Sequence, residues 1–517
     1  MSKLYPIGIQ SFESLRKAGF CYVDKTALVY RLAASGRYYF LSRPRRFGKS
    51  LLVSTMRAYF EGKRELFEGL AMEELERDWS SYPVLHLDLN AREYANEHSL
   101  VEELNKHLEI WESRYGDEFA DRRVEERFFH VIRNAYRQTG KPVVILVDEY
   151  DKPLLQTIGN PELQERYRNT LKPFYGTLKS MDAYIRFAFL TGVTRFGKVS
   201  VFSDLNNLND LSMNHQFSDI CGISERELNV SFKEDIQALA QTLQMSYEQT
   251  CETLKKYYDG YHFEEKSQGI YNPFSLLNAF YHKKISSYWF ETGTPSYLVE
   301  LLKRNHYELS DLEHEEVYAD ILSGIYSAED NPISVIYQSG YLTIKGYDKE
   351  FGLYRLGFPN REVEEGFIRY LLPFYAGKGK PDSTFEIHRF VREIRAGHID
   401  AFLNRLRSFF ADIPYELLGD LERHYQNVLF ILFKLIGFYV HAEYRTASGR
   451  IDLTLQTDRY IYIMEFKLDG SADEALRQID EKGYALPFAS DSRKLLKIGI
   501  NFDKQTRGMG EWKIVDD

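Results

Sequence analysis

One stretch decides the fold of this chain: Tyr38-Tyr39-Phe40-Leu41-Ser42-Arg43-Pro44-Arg45-Arg46-Phe47-Gly48-Lys49-Ser50. It begins as a short apolar strand, continues as a basic turn and ends in Gly-Lys-Ser, after which apolar residues recur at helical spacing. Strand, turn and helix in this order are the setting of a phosphate-binding P-loop, whose backbone N–H groups at the helix start face an anion. We therefore expect the contacts to a nucleotide to come from Arg46, Phe47, Gly48, Lys49, Ser50 and Leu51.

Two side chains of this stretch have separate expected roles. Lys49 would reach the β- and γ-phosphates, and the Ser50 hydroxyl would ligate Mg²⁺. Arg43 stands where a P-loop has its first glycine, so the match covers only the second half of the motif. A bare Gly-Lys-Ser also occurs by chance, which leaves an ordinary strand-to-helix turn as the alternative.

A second stretch, residues 141–151, places two acids directly after an apolar run. A continuous run such as Val143–Val147 is typical of a strand buried on both faces of a parallel sheet. Asp148 at its carboxyl end would hold the magnesium ion, and Glu149 would orient the attacking water as a catalytic residue. The alternative is a strand that ends in solvated acids.

The bulk composition is that of a folded chain with several domains. Its 517 residues exceed what one core supports, so we expect two to four domains. The net charge of −10 means that a nucleic acid would have to bind a local basic surface. Three scattered cysteines, the absence of an apolar signal core and the lack of a membrane-spanning run favour a cytoplasmic protein that does not enter a membrane.

Further strands extend the first domain. Residues 82–89 and Ile185–Leu190 read as core strands, and charged helical sequence lies between them. Thr191, at the end of the latter strand, would either sense the γ-phosphate or make an ordinary strand-end hydrogen bond. Arg195 could stabilise transferring charge. Asp24 and Lys25 are nucleotide-site candidates for which helix capping is the alternative.

These patterns predict an α/β protein of five parts. Residues 1–225 are expected to form a P-loop NTPase domain with a doubly wound parallel sheet, and residues 226–305 a helical lid. Residues 306–375 suggest a winged-helix-like region with a β-hairpin, and residues 376–420 a helical connection. Residues 421–517 form a carboxyl-terminal α/β domain, in which the apolar run 428–440 is expected to be a buried helix.

The carboxyl-terminal part carries a second set of chemical groups. Side chains alternate along a strand, so Glu465 and Lys467 share one face, which Asp452 on the neighbouring strand can meet. Buried charges need partners or a metal, and carboxylate oxygens favour Mg²⁺ or Mn²⁺. Gln478 and Tyr484, both on the helix expected over residues 472–484, could orient water or a phosphate. An exposed sheet face with a cross-strand salt bridge is the alternative.

Several of these motifs together resemble the predicted AAA-type ATPases of bacteria and archaea that end in a PD-(D/E)xK nuclease-like domain. The resemblance covers nearly the whole chain, and its motifs are residues 22–25, 43–50, 148–153, 191–193, 257–261, 449–452 and 465–467. It implies ATP and Mg²⁺ at Lys49, Ser50, Asp148 and Glu149, and a restriction-endonuclease-like fold at the carboxyl end. It also implies a nuclease triad of Asp452, Glu465 and Lys467, with Glu422 and Gln478 as accessory residues.

Two hypotheses of different class follow. The first is an ATP-regulated, metal-dependent nuclease acting on nucleic acid, with DNA favoured over RNA and the homo-oligomeric state left open. The second is a nucleotide-switched signalling or scaffold protein whose nuclease-like domain binds without cutting. Basic and acidic residues nearly balance from Leu421 to Asp517, which is compatible with the second hypothesis because phosphate binding depends on local cations.

Overall fold

The computed structural model of the chain divides into two compact units. Unit 1 comprises Met1–Leu301 and Glu315–Glu362, and unit 2 comprises Leu302–His314 and Val363–Asp517. The structure describes residues 3–117, 119, 121–195, 201–202, 205, 207–290, 296–324, 332–376, 380–413, 421–447, 450–468, 470–503 and 508–516. Side chains at 296–297, 323, 380–385, 421–423, 444–447 and 450–452 lie outside this description. The five-part division predicted from the sequence stays a prediction.

A five-stranded parallel sheet forms the centre of unit 1. Its strands have the order β2-β3-β4-β1-β5. Every residue of β3 is buried, which explains why its sequence is a continuous apolar run rather than an alternating one. The strand bounds are β1 Tyr38–Ser42, β2 Val84–Asp88, β3 Val143–Asp148, β4 Ile185–Gly192 and β5 Asn209–Asp210.

Two helices precede β1 and six more connect β1 to β4 in the described part of the chain, so the predicted doubly wound parallel sheet is confirmed. The carboxyl ends of β1, β3 and β4 lie side by side, which is where such sheets bind ligands. The helices are α1 Phe12–Lys17, α2 Thr26–Ser35, α3 Lys49–Phe60, α4 Ala71–Leu75, α5 Ser99–Tyr115, α6 Val124–Thr139, α7 Lys152–Gln156 and α8 Pro161–Ser180. Short 3₁₀ helices occur at Arg64–Phe67, Leu89–Ala91, Asp182–Tyr184 and His215–Phe217.

A helical segment with its own apolar core follows the sheet. Capping boxes at Ser224/Glu227 and Ser246/Gln249 start two of its helices, and Asn272 caps a third that begins with Pro273. The segment contains β6 Ile223–Ser224, α9 Glu225–Ser231, α10 Lys233–Leu243, α11 Tyr247–Tyr258, β7 Ile270–Tyr271 and α12 Pro273–His282. Helix α10 ends just before Gln244, whose φ of 55° lies in the left-handed region.

Residues 306–375, predicted as a winged-helix-like region, contain a small antiparallel sheet of order β8-β10-β9, which includes the predicted hairpin. Helix α13 passes from unit 1 into unit 2 at residue 301, and the chain returns to unit 1 at Glu315. The elements are α13 Ser296–Arg304, β8 Glu316–Val317, α14 Ala319–Ser323, α15 Ile333–Gln338, β9 Thr343–Asp348 and β10 Leu353–Gly357, with a 3₁₀ helix at Leu309–Glu313.

Unit 2 is built on a five-stranded mixed sheet of order β11-β12-β13-β14-β15, parallel only between β13 and β14. A crossover through α20 and a 3₁₀ helix at Leu486–Phe488 joins that parallel pair. The elements are α16 Arg361–Ala376, α17 Lys380–Ala396, α18 Ile399–Ala411, α19 Leu421–Gly437, β11 His441–Ala447, β12 Arg450–Gln456, β13 Tyr460–Leu468, α20 Ala472–Glu481, β14 Lys494–Asp503 and β15 Gly508–Asp516.

The two faces of this sheet pack against different helices. Phe433 of α19 contacts Phe466, and the Tyr462 hydroxyl donates to the carbonyl of Ile394 on α17. The opposite face, with Ile461 and Ile463, packs against α20. Residues 428–433 of α19 are nearly inaccessible to solvent, so the buried helix predicted over residues 428–440 is confirmed as far as Gly437, where α19 ends. In the described part of the chain, no helix combines the length and apolar character needed to span a membrane.

Candidate functional site

The loop between β1 and α3 has the backbone form of an anion-binding turn. Arg46 (φ 66°) and Gly48 (φ 90°) both lie in the left-handed region, and α3 begins immediately afterwards at Lys49. The early amide groups of α3 therefore point out of the helix start, where a phosphate would be stabilised. The geometry fits the expected role of residues 46–51, which stays a prediction.

Arg43 occupies the place of the missing glycine, and it is buried. Its guanidinium donates to the carbonyls of Ser42 and Ser212, both at 2.9 Å, and to those of Phe217 and Ser218 at 3.2 and 3.4 Å. It also lies 3.9 Å from the centroid of the Phe263 ring. Burial lowers the pKa of Arg43 to about 10, so the side chain stays charged at neutral pH. Arg43 thus anchors the base of the loop instead of facing a ligand.

Lys49 and Glu149 meet at the centre of the site. Lys49 Nζ lies 3.2 Å from Glu149 Oε1 and donates to the carbonyls of Arg43 (3.1 Å) and Pro44 (3.3 Å). Glu149 has φ 51°, an unfavourable conformation for a residue with a side chain. Strain of this kind persists where the surrounding structure imposes it, and it concentrates at functional positions. The sequence-predicted ammonium and carboxylate are therefore brought together.

Asp148 lies behind them, at the end of β3, and is 4% exposed. Burial and the neighbouring Glu149 carboxylate raise the pKa of Asp148, and a hydrogen bond with Ser50 and the charge of Lys49 oppose that rise. A buried carboxylate beside a hydroxyl offers oxygen atoms and a site where added positive charge would be favourable. Ser50 and Asp148 therefore suit a magnesium ion as a pair.

A cavity of about 450 Å³ opens in front of these residues. Its polar lining includes Gly48, Lys49, Ser50, Glu149 and Lys152, with Arg45, Arg46 and Asn90. Its apolar lining includes residues 6–9, Leu51, Pro273, Phe274 and Leu277. The cavity thus offers both charged and apolar groups, as a nucleotide requires.

Leu51 was an expected contact, but sequence reasoning missed the rest of this apolar lining. Residues 6–9 lie far upstream of the P-loop strand and form no regular element, and Phe274 belongs to the helical segment. Only Pro273, as a break at the start of α12, carried a local signal. Their approach to the P-loop is a tertiary contact that no local pattern announces.

Asp151 was part of the recognised motif but had no assigned role. It is fully buried, and its Oδ2 accepts hydrogen bonds from Val193 N (3.0 Å), Thr194 N (2.6 Å) and Thr194 Oγ1 (2.5 Å). Burial and the charge of Glu149 raise the pKa of Asp151. A Cβ on Gly192 would lie 2.3 Å from Asp151 Oδ1, so only glycine fits there. Asp151 therefore holds the ends of β3 and β4 together.

Thr191 has the strand-end hydrogen bond that the sequence left open, because its hydroxyl donates to the carbonyl of Leu41 at 2.8 Å. Its role toward a γ-phosphate stays a prediction. Arg195 Nε lies 3.3 Å from Ser42 Oγ and 3.7 Å from Asp210 Oδ2, and it does not belong to the described lining of the large cavity.

Asp24 and Lys25 have structural contacts. The Asp24 carboxylate accepts from the amides of Thr26 and Ala71, both at 2.8 Å, and so supports the starts of α2 and α4. Lys25 Nζ donates to the Asp219 carbonyl and to Glu227, each at 2.6 Å. These contacts fit the capping alternative for Asp24 and an ion pair for Lys25.

The outer side of the P-loop touches two later segments of the same unit, at Trp289 and at Gly340. Trp289 Nε1 donates to the carbonyl of Arg45 at 3.1 Å, and Trp289 N donates to Glu362 Oε1 at 2.8 Å. A Cβ on Gly340 would lie 2.6 Å from Pro44 Cβ, so the two segments are in direct contact. Glu362 belongs to α16, which continues into unit 2.

The second set of predicted residues lies on the face of β13 that packs against α20. Glu465 is 0% exposed, and Lys467 Nζ lies 3.4 Å from Glu465 Oε1. The same ammonium donates to Gln478 Oε1 on α20. A Cβ on Gly499 of β14 would lie 2.1 Å from the Ala472 carbonyl, so the absence of a side chain there lets α20 approach the sheet. Glu465, Lys467 and Gln478 are thus brought together.

Asp452 lies directly opposite Glu465 in the antiparallel register of β12 and β13. The register thus agrees with the predicted neighbourhood of residues 452 and 465, and their shared metal ion stays a prediction. The side chains of Asp452 and of Glu422 on α19 lie outside the described residues. Among described side chains, no three carboxylate, imidazole or thiol groups cluster as a metal site. The helix predicted over residues 472–484 ends at Glu481, so Tyr484 follows the helix and packs against the apolar cluster of Ile461, Ile463 and Ile479.

Comparison with known proteins agrees with this arrangement. A family described as "Predicted AAA-ATPase" matches residues 6–202, and the PD-(D/E)XK nuclease superfamily matches residues 420–512. An "Uncharacterized protein in vnfD 5'region" of Azotobacter chroococcum mcd 1 is 34% identical over 520 residues, which are 98% of each of the two chains. No solved structure matches the chain.

Proposed function

The chain belongs to the predicted AAA-type ATPases that end in a PD-(D/E)xK nuclease-like domain. From this we propose that it binds and hydrolyses ATP in unit 1 and cleaves phosphodiester bonds of nucleic acid in unit 2. The nucleotide state regulates the cleavage. DNA is the favoured substrate and Mg²⁺, or Mn²⁺ at the second site, the favoured ion.

The observation that carries the ATPase proposal is the contact of Lys49 with Glu149 at the head of the cavity. Bound ATP would replace the carboxylate and the two loop carbonyls as the partner of the Lys49 ammonium. Glu149 would then be free to orient a water molecule, and Ser50 with Asp148 would hold the magnesium ion, which supplies charge stabilisation to the phosphates. Apolar residues 6–9 and Phe274 would pack against the base.

The nuclease proposal is supported by a buried carboxylate that lies beside an ammonium. Asp452 and Glu465 would hold the divalent ion, which supplies an activated water and charge stabilisation when bound. Lys467 would neutralise charge on the phosphodiester, and Gln478 keeps its ammonium in place. Glu422 stays an accessory candidate from the family resemblance.

Regulation is supported by a chain of contacts from the P-loop to α16. Trp289 bonds both the Arg45 carbonyl and the Glu362 carboxylate, and α16 carries Glu362 at its start. A ligand that moves the loop at Arg45 would therefore change the support of a helix that continues into unit 2.

The experiment measures ATP hydrolysis and the cutting of single-stranded and duplex DNA with Mg²⁺ or Mn²⁺, with and without ATP. Lys49→Ala is expected to lose nucleotide binding, and Glu149→Gln to bind ATP without hydrolysing it. Lys467→Ala is expected to lose cleavage and keep ATP binding. Lys497→Ala is its matched control, because Lys497 on β14 also contacts α20, at Asp480.

Trp289→Phe tests the regulation separately. It removes the indole donor to Arg45, so ATP should still bind and basal cleavage should persist, while the effect of ATP on cleavage should shrink. Cleavage at the wild-type rate in Lys467→Ala would remove the nuclease assignment. No cleavage under any condition, with ATP still bound, would favour the switch-and-scaffold alternative.

A further inference from the structure

Two ammonium groups line the large cavity, and their charges are balanced differently. Lys49 is paired with Glu149 at 3.2 Å. Lys152 donates instead to the backbone carbonyl of Asn90 and, at 3.0 Å, to its side-chain oxygen, both of which are uncharged. Among the residues that the structure describes, no carboxylate pairs with Lys152. An ammonium that faces a cavity without a counter-charge favours the entry of an anion.

The backbone of Lys152 is hydrogen-bonded to that of Glu149, the proposed catalytic carboxylate. Its backbone amide donates to the carbonyl of Glu149 at 3.1 Å, so both residues belong to one turn after β3. Lys49 lines the same cavity from the start of α3. Burial lowers the pKa of Lys152, and the charge of Glu149, followed by those of Asp88 and Glu103, opposes that shift. Two ammonium groups thus share the cavity with Glu149.

We propose that Lys152 contacts the terminal phosphate of bound ATP, so that it distinguishes ATP from ADP and stabilises the transferring phosphoryl group from within the same chain. This inference rests on the proposed function, since it concerns the cavity assigned there to ATP. The four-carbon stem of lysine allows the ammonium to leave Asn90, whose oxygens are partners without charge, for a phosphate oxygen.

In the hydrolysis of ATP, the proposed role of Lys152 is only to stabilise negative charge. The oxygen of a water molecule forms a bond to the γ-phosphorus, and the bond from that phosphorus to the β,γ-bridging oxygen breaks. The bridging oxygen leaves with the electron pair as part of ADP, and the protons of the water end on inorganic phosphate and solvent. Negative charge develops on the bridging oxygen and is spread over the γ-phosphoryl oxygens, so an ammonium beside this group lowers the barrier.

Arg195, which the sequence suggests for stabilising the transferring charge, is less suited to that role. Arg195 is held by Ser42 and Asp210, and its side chain is only 10% exposed. Its backbone amide is also bonded to Gln338 at 2.6 Å. Lys152 is partly exposed, lines the cavity and would exchange only neutral partners.

The test measures the affinities of the full-length chain for ADP and for the β,γ-imido analogue of ATP, with Mg²⁺, by titration calorimetry. Lys152→Ala is expected to weaken binding of the triphosphate by about tenfold or more, the value of one charge-assisted hydrogen bond. Affinity for ADP should stay within about twofold, which also shows that the variant is folded. Lys152→Arg should keep part of the preference. Lys141→Ala, at the opposite end of β3, should bind like the wild type.

Steady-state ATP hydrolysis adds a second readout. Lys152→Ala should lower kcat more than it raises KM, because the ammonium stabilises the charge that develops in the transition state more than the charge of bound ATP. An unchanged ratio of triphosphate to ADP affinity in Lys152→Ala, with both ligands bound by the wild type, would overturn the inference alone. Absence of binding of either ligand to the wild type would overturn the proposed function and this inference with it.

Discussion

Replacement of Asp151 tests how the two strand ends behind the cavity are held. Asp151→Ala would leave the amides of Val193 and Thr194 buried without an acceptor, together with the Thr194 hydroxyl. Each unsatisfied buried donor costs about 1–3 kcal/mol, and the vacated volume adds to this. Removal of a carboxylate whose burial disfavours its charge offsets part of the loss. We expect a net destabilisation of about 3 kcal/mol.

Asp151→Asn separates the charge from the hydrogen bonds. All three donors converge on Oδ2, so an amide oxygen placed there can accept them, and the buried charge disappears. We expect this variant to lose less than about 1 kcal/mol, within the range of a conserved hydrogen-bond set. Thr194→Val, which removes only the hydroxyl donor, should fall between the two variants.

The assay is thermal unfolding of the full-length chain, in which the transition of unit 1 is recognised by its shift with added ATP. For a body of several hundred residues, about 3 kcal/mol corresponds to a fall of roughly 4 °C in Tm. The order Asp151→Ala, Thr194→Val, Asp151→Asn, from the largest to the smallest fall, follows from the geometry. An alanine variant at least as stable as the asparagine variant would refute the reasoning.

Two further predictions concern pH and helix packing. Burial lowers the pKa of His86 to about 4 from 6.5, so the unfolded chain binds more protons between these values and stability falls as pH drops through that window. Between pH 7 and 4.5, the free energy of unfolding of the wild type should therefore fall by about 2 kcal/mol more than that of His86→Gln, as measured by thermal unfolding. A difference in stability between the two proteins that does not change with pH would contradict this. Gly499→Ala should displace α20, destabilise unit 2 by about 1–3 kcal/mol and reduce cleavage, whereas Gly437→Ala, with room for a methyl group, should do neither.

Most of the framework was accessible from local sequence signals. A wholly apolar run predicted β3, helical spacing after Gly48 predicted α3, and strand alternation put Glu465 and Lys467 on one face. Each of these signals is a periodicity of a few residues, which the backbone geometry imposes directly. The parallel sheet and the buried helix α19 followed for the same reason.

The rest depended on contacts between distant segments. Gly499 looks like any strand glycine in the sequence, yet the carbonyl of Ala472 fills the space where its side chain would lie. Phe274 belongs to a helix whose own pattern says only that one face is buried, while its place at the cavity is set by the fold of the whole unit. Such contacts leave no periodic trace, so a single sequence does not reveal them.

Arg43 is a departure from the motif that the sequence shows directly, but its reason lies in contacts between distant segments. A first glycine in a P-loop allows a tight turn, but Arg43 lies outside the left-handed region, so its backbone does not require glycine. The space that a glycine would leave is used by a guanidinium that bonds four carbonyls of residues 42, 212, 217 and 218. Four such acceptors would be left without their donor in Arg43→Gly, so restoring the usual glycine should loosen the loop rather than improve it. At this position the loop is therefore held by the hydrogen bonds of a buried guanidinium instead of by the tight turn that a glycine would allow.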